Sequence, residues 1–332
     1  MQSRAIQLKR YPEGLPAAAD FELVSIDLPD PKENEVLVKN RYMSVDPYMR
    51  GRMREGKSYF TPFALNTPLD GQSIGEVVAC NHPDFKTGDF VAGFGGWREH
   101  FIAQGSDLSP IDPEIAPLQT FLGTLGMPGM TAYVGLLDIG RPVAGETVFV
   151  SAASGAVGSI VGQIAKIKGC RTIGSAGSDE KVAWLVDEAG FDAAFNYRRI
   201  DNLNAELARH CPDGIDVYFD NVGGEHLQAA IAQMNFHGRI ALCGMIGQYN
   251  ATEAVPGPNN LMLAVGRRLA LQGFIVSDHY ARREAFLADM SDWIAAGKIK
   301  WRETVVTGLE QAPDAFIGLF RGDNFGKMIV EL

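Results

Sequence analysis

At 332 residues, with 46% hydrophobic and 21% charged side chains, the chain has the composition of a globular enzyme and exceeds one comfortable core, so two domains are expected. Its formal charge of −10 argues against non-specific binding to nucleic acid or an anionic membrane, since both need a basic patch, but it leaves room for a local phosphate site. Cys80, Cys170, Cys211 and Cys243 are scattered with no C-x-x-C pair, which suits reduced cytoplasmic thiols; Met1 to Arg10 lacks the apolar core of a signal peptide, and no run is long enough to span a membrane.

The first stretch, to about Asp107, reads as mostly β with Gly and Pro punctuation. Glu35 to Lys39, Ile74 to Ala79 and Gly88 to Ala92 are strand-like. From Leu118 the character changes. Met127 to Leu137 reads as a helix with Pro128 in its first turn, where a missing N–H costs little. Strand and helix then alternate. Thr147 to Val150 is β-branched or aromatic throughout, as a parallel strand covered on both faces should be. A helix follows, then strand Arg171 to Ser175 and a helix over Lys181 to Ala189 with Ser178 as its N-cap. Next come strand Ala193 to Asn196, helix Leu203 to His210, strand Asp216 to Asp220 and helix Glu225 to Met234. Strands Arg239 to Cys243 and Leu271 to Val276 and helix Ala281 to Ala296 complete a unit of six strands, which predicts a doubly wound parallel sheet. The tail returns to short strands, Thr304 to Thr307 and Lys327 to Val330, and is expected to rejoin the β-rich first domain.

Ala153-Ser-Gly155-Ala156-Val157-Gly158, directly after the buried strand, occupies the positions of the dinucleotide fingerprint G-x-G-x-x-G with Ala in place of its first glycine. Gly155 lets the backbone approach a pyrophosphate, Gly158 lets the new helix lie close to its strand, and the helix N-terminus holds the phosphates. An ordinary strand-to-helix turn of small residues is the competing account. The second strand of an NAD-binding fold usually ends in an acid for the ribose hydroxyl. Here it runs into Gly174-Ser-Ala-Gly-Ser178 with no carboxylate at its end, and Asp179 and Glu180 read as first-turn helix acids. Lys181 follows, and Tyr197 ends the next strand. A missing acid beside a cation and a phenol favours a 2′-phosphate, hence NADP(H), although Lys181 alone reads equally well as a solvated helix lysine.

The chain resembles the zinc-free medium-chain dehydrogenase/reductases, and within them the alkenal/one oxidoreductases that include prostaglandin reductases, plant double-bond reductases and bacterial curcumin reductase. The marks are Val45 to Met53, Gly123 to Tyr133, Gly155 to Ser159, Gly177 to Lys181, Phe219 to Gly224, Cys243 to Asn250 and Gly322 to Lys327, spread over nearly the whole chain. The resemblance implies an α/β protein: a GroES-like β-rich catalytic domain at 1–125, a Rossmann domain at 126–298 and a C-terminal return at 299–332. It places Gly155, Ala156, Val157 and Gly158 on the pyrophosphate and Lys181 and Tyr197 near the 2′-phosphate. Gly177, Asn221, Cys243, Gly244, Met245, Ile246, Tyr249, Phe274, Ile275, Val276 and Asn324 are then the other cofactor residues. Asn221 and Asn324 also read as turn-formers beside glycine. Tyr249 matches a tyrosine set beside the substrate carbonyl, and Tyr48 an aromatic of the substrate pocket. Met53 and Trp97 are candidates for the same apolar pocket, though such residues are more often core. A homodimer joined through edge strands is also implied.

Zinc-dependent relatives carry Cys near the segment that is Ser44 to Tyr48 here and Gly-His-Glu near Gly71 to Ser73; both ligands are absent, and the six histidines lack a ligand spacing, so no metal is expected. Without a Lewis acid, carbonyl reduction loses its activator, whereas reduction of an activated C=C bond needs none. The expected reaction is NADPH-dependent reduction of an enone or enal, with Tyr249 stabilising the enolate. The alternatives are a quinone reductase of the same superfamily and a non-catalytic NADPH-binding protein.

Overall fold

The structure, a computed structural model, describes Met1–Leu332 and divides into two compact units, 1–123 with 303–332 and 124–302. Unit 1 begins with the antiparallel pair β1 (Gln2–Leu8) and β2 (Phe21–Asp27). Its main sheet is built from β3 (Glu35–Ser44), β4 (Ser73–Cys80), β5 (Phe90–Gly93), β6 (His100–Gln104) and β7 (Ser109–Ile111), with a single helical turn, α1 (Met49–Arg52), after β3. β3 is twice as long as the apolar run that suggests it. One edge pairs with β4 along its length; the other pairs with β6 over Glu35–Lys39 and with the C-terminal strand over Tyr42–Ser44.

Unit 2 opens with α2 (Met127–Val134), which continues as a wider π-helical turn, Gly135–Gly140. There follow β8 (Thr147–Val150), α3 (Gly158–Ile167), β9 (Arg171–Ala176), α4 (Asp179–Asp187), β10 (Ala193–Asn196), α5 (Leu203–His210), β11 (Ile215–Asp220), α6 (Gly224–Gln233), β12 (Met234–Leu242), α7 (Leu263–Arg267), β13 (Ala270–Gly273) and α8 (Arg283–Ala295). The six strands are parallel in the order β10-β9-β8-β11-β12-β13, the expected doubly wound sheet. The order reverses between β8 and β11, and the crevice at the carboxyl ends of such a pair is where open α/β sheets bind ligands. All four β8 residues are buried, as a strand between two helical layers requires. The sixth strand stops at Gly273 rather than running to Val276. Phe274 leaves it to pack edge-on against Phe219, at 6.2 Å between ring centroids, over the space left by Gly135.

The tail returns to unit 1 with β14 (Glu303–Thr307), α9 (Ala312–Arg321) and β15 (Lys327–Glu331). β14 and β15 pair in parallel, and β15 joins β3. Helix α9 is absent from the strand reading of this tail. Pro313 sits in its first turn and Gly322, at φ 76°, closes it, while Phe316 packs against Phe21 and Trp97. No helix is long and apolar enough to cross a membrane.

Candidate active site

The turn after β8 is made by what its residues lack. Ala152 stands at φ 46°, and α3 starts at Gly158 so close beneath it that a Cβ there would lie 2.5 Å from the Ala152 carbonyl oxygen and 2.9 Å from Ala153 Cα. At Gly155 a Cβ would sit 3.2 Å from the same oxygen. Ala156 and Val157 complete the turn, and α3 has no acidic residue in its first turn. The segment is a cradle that a larger side chain would fill, at the positive end of a ten-residue helix. A pyrophosphate fits such a place.

The corner beside it lies at the ends of β9 and β10. Ser178 caps α4, its hydroxyl accepting from the Lys181 amide at 3.3 Å, so Lys181 lies in the first turn. Asp179 is turned away from a ligand role, because it accepts from the Asn196 amide at 2.7 Å and pairs with Arg199. Tyr197 does not end a strand; it opens a short 3₁₀ turn after Asn196, whose side chain accepts from the Arg198 amide at 3.0 Å. That turn aims two groups at Gly177: a Cβ on this glycine would lie 3.3 Å from the Tyr197 hydroxyl and 3.4 Å from Arg198 Nε. Arg198 is a residue that sequence reasoning missed, and the adjacent basic pair after Tyr197 was its signal. Behind Tyr197 the His226 ring meets it edge-on at 5.2 Å, and burial pushes this imidazole down to about 4.

At the switch point Asn221 donates from its side chain to Ser151 O at 2.7 Å and from its amide to Ser151 Oγ at 3.0 Å, which ties the ends of β8 and β11 together. The Cys243–Tyr249 segment follows β12. Cys243 is half-buried, and its thiol is pushed up to about 12 by burial and, secondarily, the Asp220 charge, which makes it a poor nucleophile. Ile246 opens a 3₁₀ turn that ends at Tyr249, whose hydroxyl oxygen accepts from the Met245 amide at 3.3 Å. Gly244 makes room for this return, because a Cβ there would lie 2.9 Å from that oxygen. An O–H that already accepts a hydrogen bond is a stronger donor to a third group. Ile275 and Val276 begin a further 3₁₀ segment after Phe274.

In unit 1, Tyr48 precedes α1 and stacks on Phe60 at 5.2 Å, and Phe60 touches Tyr59 at 5.0 Å. Burial, then the Asp46 charge, holds the Tyr48 phenol above its ordinary range, so it is neutral. Met53 and Trp97 are corrections: both are 0% exposed inside the core with Phe21 and Phe316, so they offer no pocket surface. Their size and apolarity were better satisfied by packing than by a cleft. Asn324 lies in the turn between α9 and β15, where its amide donates to Gly326 O at 2.8 Å, the turn-forming alternative. No group of three or more His, Cys, Asp or Glu side chains is placed to hold a metal ion.

A β-rich unit and a doubly wound parallel unit with a glycine-lined turn at a helix N-terminus, in one chain, fit a nucleotide-dependent oxidoreductase. Residues 4–111 match the family model described as the N-terminal domain of oxidoreductase, and residues 156–296 match that described as zinc-binding dehydrogenase. The chain is 47% identical to the NADP(+)-dependent 2-alkenal reductase of Nicotiana tabacum, over 99% of this chain and 97% of the relative. It is 43% identical to the NADPH-dependent curcumin reductase of Escherichia coli (strain K12), over 100% of this chain and 97% of the relative. The crystal structure of CurA from Vibrio vulnificus in complex with NADPH superposes with a TM-score of 0.94 at 45% identity, covering 99% of this chain and 98% of that one. The chain belongs to the medium-chain dehydrogenase/reductase family, in the alkenal/one oxidoreductase group.

Proposed function

We propose that this chain reduces the C=C bond of α,β-unsaturated ketones and aldehydes with NADPH. The observation that carries the reading is the Tyr249 hydroxyl, folded back onto the Met245 amide by a segment at the carboxyl ends of the strands. The names of the relatives, curcumin reductase and 2-alkenal reductase, support the substrate class. When bound, NADPH would supply a hydride to the β-carbon; the C=C pair would shift into the bond between the α-carbon and the carbonyl carbon, the C=O pair would move to the oxygen as an enolate, and a proton would then close the α-carbon. The chain's part is to meet the charge. Tyr249 donates to the oxygen where the negative charge develops, an interaction whose removal costs on the order of 10²–10³ in rate in comparable sites.

The turn 155–158 carries the pyrophosphate, and Lys181, Tyr197 and Arg198 at Gly177 receive the 2′-phosphate, since Asp179 is already engaged by Asn196 and Arg199. Asn221, Cys243 to Ile246, Phe274 to Val276 and Asn324 are assigned to the remainder of the nucleotide, and Tyr48 to the substrate. Catalysis is read as zinc-independent, since Ser44 to Tyr48 and Gly71 to Ser73 lack the Cys and the Gly-His-Glu of zinc-dependent relatives. The free cysteines suit a reducing cytoplasm. The exposed edge strand β13, with Phe236, Met262 and Val265 at 67%, 81% and 80% exposure, supports a homodimer formed on that side.

The test is NADPH oxidation with 3-nonen-2-one, with NADH and a benzoquinone run beside it. NADPH-selective turnover to the saturated ketone is the expected outcome. Activity on the quinone alone overturns the substrate class, and tight NADPH binding with no turnover on either leaves a binding protein.

A further inference from the structure

Apart from one short 3₁₀ turn, the segment that carries Tyr249 is irregular, so something outside it must set its place. It hangs from the turn after β11. Cys243 and Gly244 both donate to the Asp220 carbonyl, at 3.0 and 3.1 Å; Ile246 donates to Asn221 O and Gly247 to Val222 O, each at 3.2 Å. The turn itself is shaped by one side chain. Asp220 Oδ1 accepts from the Tyr218 hydroxyl at 2.6 Å, the Gly223 amide at 2.8 Å and the Val222 amide at 2.9 Å. Gly223 takes φ 73° under this clamp, and the Met245 side chain fills the space beside it, 2.9 Å from where a Cβ would stand.

Asp220 is 0% exposed, and its second oxygen, Oδ2, has no hydrogen-bond partner. A buried carboxyl with half its acceptor capacity unused is a costly way to fill a core; an apolar residue of similar volume serves stability better. What the carboxyl does supply is the turn.

We infer that Asp220 is a positioning residue for the reduction: its buried carboxyl shapes turn 220–224, which presents the 243–249 segment and so sets the Tyr249 hydroxyl. The inference rests on the role of Tyr249 proposed above. A double-mutant cycle separates the two, because residues acting through one group lose their effects together. kcat on 3-nonen-2-one and the Kd of NADPH are measured for Asp220→Ala, Tyr249→Phe, the double variant and Asp220→Asn. Asp220→Ala is expected to lower kcat by about 10-fold or more and, because the same segment carries the nucleotide residues Cys243 to Ile246, to weaken NADPH binding as well. The double variant should be no slower than the slower single one. Asp220→Asn, which retains an acceptor oxygen for the two amides, should recover turnover relative to Ala. Losses that multiply, a Kd effect without a kcat effect, or an Asn variant as slow as Ala each overturn the inference. An unchanged kcat in Tyr249→Phe removes the role of Tyr249 and the inference with it, a distinct result. Should Asp220→Ala fail to fold, Asp220→Ser leaves one oxygen for the turn and carries the same cycle.

Discussion

Two neighbouring strands, β8 and β11, end in turns built by opposite means. The turn after β8 is shaped by absence: Gly155 and Gly158 leave out the side chains that would strike the Ala152 carbonyl. The turn after β11 is shaped by presence, one carboxyl gathering a phenol and two backbone amides. The first lets a helix start pack directly against a strand end; the second makes a frame for another segment to lean on. Emptiness is a local property that spacing can announce. A network also draws on partners that the chain brings from elsewhere, here Ser151, 69 residues from Asp220, whose hydroxyl reaches Asp220 Oδ1 at 3.4 Å and accepts from the Tyr218 hydroxyl at 3.0 Å.

Four experiments sharpen that contrast, taken from the largest expected effect down. Gly158→Val fills the empty turn against backbone, which cannot yield cheaply; NADPH affinity, read by protein fluorescence, should fall by about 100-fold or more, with a loss in Tm. An affinity within threefold of the parent would refute the cradle. His226→Phe probes the ground behind the second turn. The His226 folded-state pKa of about 4 lies below the ordinary histidine value, so the unfolded chain takes up the proton first. Stability from the neutral ring is therefore present in full above about pH 6.5 and is lost as pH falls from there towards 4, up to about 3 kcal/mol. The variant should lose less Tm than the parent between about pH 7 and pH 5, and equal losses would clear His226.

Lys181→Ala should raise the KM for NADPH about 10-fold and leave that for NADH alone, and Arg198→Ala, being exposed and screened, about threefold. Equal effects on both nucleotides would take the 2′-phosphate away from this corner. Dialysis against a chelator should change nothing, as the zinc-independent reading requires; activity lost and restored by zinc would contradict that reading.

Much of unit 2 was legible because its elements announce themselves over short windows. Leu203–His210 is helical over the span its pattern predicts, and Ser178 caps α4 through its own hydroxyl. Where side chains at a distance decide, the sequence said less. β13 ends early because Phe274 finds Gly135 and Phe219, neither of them near it in the chain. Helix α9 is hard to see in the sequence because Gly318, a poor helix former, falls inside it, and its apolar face is explained only by Trp97 and Phe21. Arg198 lay unread beside Tyr197 because the 3₁₀ turn that aims it at Gly177 depends on the Asn196 side chain. Asp220 lies in the Phe219 to Gly224 motif, yet its burial and its unpartnered oxygen are visible only in three dimensions.

β3 takes its third partner from residues 329–331, so the sheet of unit 1 joins segments synthesised nearly 290 positions apart, whereas unit 2 is a single continuous run. On the ribosome the two therefore mature in reverse order of their beginnings. Unit 2 needs nothing beyond 302, while the first unit keeps one edge of Tyr42–Ser44 in β3 unpaired until β15 arrives. β15 thus completes last what β3 begins first, and loss of residues 327–331 would strip Tyr42–Ser44 of their partner on that edge while leaving the β6 pairing intact.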